Sequence, residues 1–340
     1  MDQKKKGLFN KVIICFLLAI AVLTAGSIFY FKYMIEKVVQ EEENLTTYDR
    51  HIAMIVENKE DTFWKEVYES ARQEGEEQGY YIEMYGENLP IAYSKQELIK
   101  IAIDASVDGI IIEGDDSEQL IQEISRAEER GIPVMTVLSD STQSTRQCYV
   151  GINSYNLGQT LGREVLQNIE DDVKTICILM NRNEANTSQN IIYSGISEAL
   201  GKNTRNQYKI FAMAIQDEGT FGAEETVRDI FLKEEELPDV LICLDKISTT
   251  SACQAAVDFN KVGEVKIIGC YSSNTILEAI QKEILQATVT FDTQNMGIKC
   301  IEAMTEYWEK GHVSGYKSVE ASLITVENIE EYMKNETDIQ

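Results

Sequence analysis

Short apolar runs alternate with amphipathic stretches twice over between His51 and residue 270, and this alternation limits the possible folds more than any other feature of the chain. The first series contains Ile52–Val56, Tyr81–Tyr85, Gly109–Ile112 and Val134–Val137. The second contains Thr175–Met180, Tyr208–Ile215, Val240–Leu244 and Val265–Ile268. Runs this short are strand-sized, and apolar residues at nearly every position mean that both faces are covered. The intervening stretches have helical spacing. Ser94-Lys-Gln-Glu97 is a capping-box pattern followed by Leu98, Ile101, Ala102 and Ala105. Leu120, Ile121, Ile124 and Ala127 repeat the rhythm and run into Gly131-Ile-Pro133, a helix stop. Further helices are expected at about 188–200, 219–235 and 248–260. The fold class that follows is α/β, with two doubly wound lobes of parallel sheet. An aspartate precedes the third strand of each series, in Asp108-Gly-Ile-Ile-Ile and Asp239-Val-Leu-Ile-Cys, which hints at an internal repeat.

A different pattern precedes the first lobe. Val12 to Phe31 is 20 residues without a charge, and a helix of that length spans a hydrocarbon core of about 30 Å. Lys4, Lys5, Lys6 and Lys11 lie before it, while Glu41, Glu42 and Glu43 come after. The positive-inside rule then leaves a cytoplasmic tail (1–11), a single transmembrane anchor (12–33), a polar stalk (34–49) and everything beyond outside the cytoplasm. A cleaved signal peptide is the competing reading, since Thr24-Ala25-Gly26-Ser27 offers small residues. The apolar run is longer than the usual signal core of about 7–15 residues, which favours a retained anchor. Ser27 stands where a lipoprotein signal needs cysteine.

Charge excludes one class of partner. The chain carries 31 Lys+Arg against 57 Asp+Glu, a net of −26. Five of the basic groups and one acid fall in residues 1–33, so the remainder holds 26 basic against 56 acidic residues, a net of −30. A globule that acidic repels phosphate backbones, so nucleic acid is not expected as a partner. Enzyme motifs are missing as well: there is no GxSxG, Walker A, GxGxxG or HExxH, and neither His51 nor His312 sits near a recognisable nucleophile. The seven cysteines show no CxxC or Cys/His spacing and read as buried thiols rather than metal ligands or a disulfide framework. The chain is therefore expected to bind rather than catalyse, without cofactor or metal.

Five stretches carry a resemblance: IAMIVENKEDTFWKEVYESARQEGEEQGY, VDGIIIEG, RGIPVMTV, VGINSYNLGQTLGREV and VKIIGCYSSNTILEAIQKEILQATVTFDTQNMG. With the closing SLITVENIEEY, their order over residues 50–335 resembles the type I periplasmic substrate-binding family, in the sugar-binding group that includes ribose-binding proteins. The resemblance implies Rossmann-like lobes joined by a hinge of three crossovers, near Gly151–Asn153, Phe291–Thr293 and about 315–320. The first lobe would comprise 50–153 plus 292–315, with helix 294–312 returning to it, and the second 154–291 plus 316–340.

Pocket positions carried over from that resemblance often depart from the family pattern. Glu57 stands at a small polar position and Asp61 at an asparagine position; the paired aromatics match as Phe63 and Trp64. The Asp-Arg pair that grips sugar hydroxyls reads Leu138-Ser139, with Asp140 just beyond. Asn190 replaces an arginine, and an Asn-Asp turn becomes Asp245-Lys246. Gly-Phe-Asp becomes Gly269-Cys270-Tyr271, and the hinge glutamine becomes Phe291. Losing those arginines and aspartates removes bidentate gripping of paired hydroxyls. A sugar stacked on aromatics is the ligand the resemblance implies. Glu57, Asp61 and Asp140 beside so many rings leave a cationic solute open, and a lobe pair that binds only protein is a third possibility. Delivery of solute to an ABC permease and sensing for a membrane histidine kinase are the two expected outputs.

Overall fold

In the computed structural model, the described residues are 24, 26–32, 48–87, 89, 91–169, 175–181, 187–202, 208–215, 220–233 and 236–337. Most of the expected span at 12–33 lies outside them. Thr24 and Gly26–Lys32 are helical and exposed, and no helix among the described residues is long and apolar enough to cross a membrane. That N-terminal part, through Tyr48, forms a unit separate from Asp49–Gln340.

From Asp49 onward the alternation folds as two sheets, parallel except for one edge strand of the second. The first is built from β1 (Arg50–Ile55), β2 (Tyr80–Met84), β3 (Gly109–Glu113), β4 (Val134–Val137) and β5 (Cys148–Gly151), with α1 (Thr62–Glu77), α2 (Lys95–Asp104) and α3 (Glu118–Glu129) between the strands. The second uses β6 (Thr175–Asn181), β7 (Lys209–Ile215), β8 (Val240–Cys243), β9 (Lys266–Cys270) and β10 (Ala287–Phe291). Its helices are α4 (Ser154–Asn168), α5 (Thr187–Gly201), α6 (Thr220–Leu232), α7 (Lys246–Asp258) and α8 (Asn274–Gln281). After β10 come α9 (Thr293–Lys310), β11 (Tyr316–Ser318), β12 (Ala321–Thr325) and α10 (Ile329–Thr337). Strand order is β11-β5-β4-β3-β1-β2 in one sheet and β12-β10-β9-β8-β6-β7 in the other. Ile110, Ile111, Ile112, Val240, Leu241 and Ile242 are wholly buried, as strands covered on both faces require.

The two sheets repeat each other down to single hydrogen bonds. Asp108 Oδ2 accepts from the His51 N–H, and Asp239 Oδ2 accepts from the Thr175 N–H, each at 2.8 Å. These two aspartates thus tie the start of the third strand of each lobe to the first. Gln147 Oε1 accepts from the Val134 N–H at 2.6 Å, and Gln286 Oε1 from the Ile267 N–H at 2.5 Å. The residue after β4 and the residue after β9 match as well. Leu138 (φ 64°) donates its N–H to the Val150 carbonyl, and Tyr271 (φ 72°) donates to that of Val289. The carbonyls of Leu138 and Tyr271 accept from the Tyr149 and Thr288 hydroxyls at 2.8 and 2.7 Å. Left-handed backbone costs a non-glycine residue roughly 1–2 kcal/mol, and here it recurs at the same point of both lobes.

Three links join the lobes. The first follows β5 into α4, which packs on α5 of the second lobe. The second follows β10 into α9, which packs on α1 of the first lobe. Gly297 lets those helices approach: a Cβ there would lie 2.3 Å from the Val67 carbonyl oxygen and 2.7 Å from the Ala71 nitrogen. Gly311, at φ 72°, caps α9, so this helix stops at Lys310 instead of running to 312. The third link falls between Ser318 and Ala321. Residues 316–318, expected in the second lobe, belong to the first sheet because Tyr316–Ser318 pairs in parallel with Tyr149–Gly151. β12 then runs antiparallel to β10.

Candidate functional site

Both sheets point their carboxyl ends at one cleft, where a switch in strand order leaves room for side chains of the following turns. β1 ends at Ile55, and the chain turns through Glu57 to Asp61, the N-cap of α1, whose Oδ1 accepts from the Phe63 N–H at 3.0 Å. β8 ends at Cys243 and is followed by Asp245, the N-cap of α7, whose Oδ1 accepts from the Ser248 N–H at 2.8 Å. Lys246, the first residue of α7, reaches across: its Nζ lies 2.8 and 3.0 Å from the two carboxylate oxygens of Asp61. Asp245 Oδ2 is buried and without a hydrogen-bond partner.

Beside this bridge four rings meet. Phe63 of the first lobe stands edge to face with Tyr271 at 5.4 Å and with Phe291 at 6.4 Å between centroids. Tyr271 and Phe291 of the second lobe are 5.0 Å apart and nearly perpendicular. Trp64 touches Phe63 from behind, at 5.1 Å. Edge-to-face packing of this kind contributes about 0.5–1.5 kcal/mol per pair beyond area burial. Phe63 and Trp64 nevertheless differ in role. Trp64 shares the buried stripe of α1 with Val67, Ala71 and Gly75 and is only 5% exposed, so it is a core residue and not a stacking surface. Phe63 is the aromatic that faces the other lobe.

The floor of the first lobe carries charges that sequence reasoning missed. Glu113 closes β3 and accepts from the Glu57 N–H at 3.0 Å. Lys95, 7% exposed, lies 2.8 Å from Asp115 and 3.9 Å from Glu57. Burial pushes the Glu113 carboxyl up, against the opposing pull of Lys95 and the Glu57 N–H. Burial, followed by the Glu113 charge, also pushes the Tyr271 phenol well above its ordinary value. Asp115 goes the other way: although burial opposes it, Lys95 and the Ser117 hydrogen bonds hold its carboxyl low. A carboxyl raised by folding favours the native state below its unfolded value, near 4.3, and that contribution is lost as pH rises through the folded value. Glu113→Gln is therefore expected to gain stability over wild type progressively from about pH 4.3 upward. Melting curves of both proteins between pH 4 and 8 check this, and a difference that does not vary with pH would refute it.

The remaining predicted positions are arranged differently. Glu57 is exposed at the cleft edge. Ser139 is held by its backbone, donating its N–H to the Val137 carbonyl and accepting from the Gly114 N–H. Asp140 is not available to a ligand in the way expected. Its oxygens take Arg146 Nε and Nη2, each at 2.6 Å, along with the Thr136 hydroxyl and the Ser141 N–H, both at 2.8 Å. Asn190 is exposed near the start of α5, and nothing among the described residues connects it with the rings. The cleft group is thus Asp61, Phe63, Glu113, Asp245, Lys246, Tyr271 and Phe291. The signal for Glu113 was its place as the charged end of Gly-Ile-Ile-Ile-Glu, and that for Lys246 its place after an N-cap at a strand end. The six described cysteines are buried and free, and among the described residues no group of His, Cys, Asp or Glu is set to hold a metal ion.

Known proteins share this architecture. No curated protein matches the chain by sequence. Among solved structures, the XylFII molecule is 25% identical, with a TM-score of 0.68, covering 81% of this chain and 98% of its own. A chain of the XylFII–LytSN complex is 24% identical, with a TM-score of 0.69 and coverage of 82% and 98%. GanP, a glucose-galactose binding protein from Geobacillus stearothermophilus, is 22% identical, with a TM-score of 0.74 over 82% and 98%. The family model described as a periplasmic binding protein domain matches residues 52–312. With two lobes of repeated topology, three crossovers and this match over most of its length, the chain belongs to the type I periplasmic binding protein family.

Proposed function

We propose that this protein is a membrane-anchored, extracytoplasmic solute-binding protein that takes a sugar or related small polar molecule between its lobes and presents it to an ABC importer. The observation that carries the reading is the convergence of Asp61 and Phe63 from one lobe with Lys246, Tyr271 and Phe291 from the other at the carboxyl ends of both sheets. Carboxylates accept hydrogen bonds from hydroxyls, and ring faces cover the apolar face of a sugar. A ligand that touches both lobes stabilises their closed arrangement by its differential affinity. The glucose-galactose binding character of GanP supports the sugar assignment, and the uncharged run Val12–Phe31 supports the anchor.

Thermal unfolding of the full chain in detergent, against sugars, polyols, amino acids and polyamines, tests the proposal. A ligand at 100 times its Kd adds about 2.7 kcal/mol, a shift of roughly 5–11 °C. The expected result is a sugar-dependent shift that disappears in Phe63→Ala, whose ring contacts the second lobe. A hit confined to polyamines or amino acids would overturn the sugar assignment. Silence across the panel would overturn small-molecule binding and leave a protein-contacting lobe pair.

A receptor role for a membrane histidine kinase is the second reading. It is favoured by the XylFII–LytSN complex, in which a protein of this fold is joined to a second protein. An anchor also suits a receptor that stays beside its partner. Affinity capture of the full chain from its own membranes separates the two, by recovery of a permease or of a kinase.

A further inference from the structure

The cleft's binding groups are already engaged with each other across the two lobes. Asp61, the N-cap of α1 in the first lobe, holds the Lys246 ammonium on both oxygens, at 2.8 and 3.0 Å. The two side chains are 21% and 28% exposed, so bulk salt screens their attraction less than that of a fully solvated pair. Next to them Phe63 presses edge-on against Tyr271 and Phe291. The ring that would cover a ligand is covering residues of its own chain. The bridge links the N-cap of α1 with the first residue of α7, two rigid helix starts on opposite lobes. It therefore fixes the distance between the lobes and is more than a bond between mobile loops.

We propose that Lys246 is a tethered cation that competes with ligand for Asp61: its bridge holds the lobes together before ligand arrives, and binding proceeds by displacing it. The apparent affinity of a site whose competent form is only partly populated falls by that fraction. Lys246 is then a specificity-determining residue, because only ligands whose donors replace the ammonium on Asp61 can enter. The displacement step rests on the solute-binding reading above, whereas the latch itself does not.

The test measures the distance between lobes directly. Spin labels on bioorthogonal amino acids at exposed Gln122 of α3 and Gln254 of α7 report it by pulsed electron resonance in the full chain in nanodiscs. Without added ligand the expected distribution is predominantly short for the wild type and for Lys246→Arg, which keeps a cation within reach of Asp61. Lys246→Met and Asp61→Asn should each add a longer component, and asparagine still caps α1, so loss of that helix is not the cause. Distributions unchanged in both variants, or a wild type already spread over the long distance, would overturn the latch whatever the ligand proves to be. For a sugar that shifts the melting curve, Lys246→Met should tighten binding about tenfold if one molecule in ten is unlatched. Weaker binding in that variant would mean that Lys246 contacts the ligand, and would overturn the competition while leaving the solute-binding reading intact.

Discussion

Trp64→Ala should lower the melting temperature by roughly 6–20 °C, with or without any ligand present. The indole is 5% exposed and belongs to a buried cluster with Ile52, Met54, Val67, Ile111 and Met296. Truncating a buried tryptophan removes its transfer free energy and leaves a cavity, together about 3–5 kcal/mol, and a chain of this size loses roughly 2–4 °C per kcal/mol. Phe63→Ala, one residue earlier, should behave differently. Phe63 is only partly buried and lies against Tyr271 and Phe291 of the other lobe, so its loss should weaken the joining of the lobes more than the first-lobe core. Differential scanning calorimetry of both variants separates the roles. A Trp64→Ala protein melting within about 2 °C of wild type, equivalent to about 1 kcal/mol or less, would return Trp64 to the cleft.

That contrast shows where a sequence yields its fold and where it stops. Neighbouring residues on a helix project about 100° apart, so Phe63 and Trp64 cannot both face the cleft. The choice was legible in the stripe Trp64, Val67, Ala71, Gly75, which places the tryptophan on the core side. Resemblance, however, presented the two rings as a pair. Asp108 and Asp239 were legible because the repeat they mark is local, each preceding a strand whose neighbour it ties down. The Asp61–Lys246 bridge was not, because its members lie 185 residues apart and only the docking of two lobes brings them together. Glu113 raised the same difficulty: its charge is felt at Tyr271 of the other lobe. The edge strand β11 was misplaced because three residues, Tyr316–Ser318, carry no pattern of their own. Pairing with β5 decides which sheet they join.

Arg146→Met should cost about 3 kcal/mol, because it removes the partner that engages the Asp140 carboxylate. The carboxylate of Asp140 is 10% exposed and the guanidinium of Arg146 17%, joined by two parallel bonds of 2.6 Å. Arg146 Nη1 continues to the Gly315 carbonyl at 2.9 Å, so the pair ties the loop after β4 to the segment entering β11, both within the first lobe. Removing one partner of a buried pair leaves the other charge uncompensated, at a cost of about 3–5 kcal/mol, and the remaining solvent contact places this case at the lower end. Asp140→Asn in the same chain should recover much of the loss. The neutral amide oxygen still accepts from the Thr136 hydroxyl and the Ser141 N–H, and no buried charge is left behind. Chemical denaturation of wild type, Arg146→Met and the double variant checks the sign of that recovery. A double variant less stable than the single one would mean that Asp140 holds the loop without Arg146, through its short bonds to Thr136 and Ser141. A ligand competing for Asp140 would then face those bonds instead of a guanidinium, and the carboxylate would again be a possible pocket group.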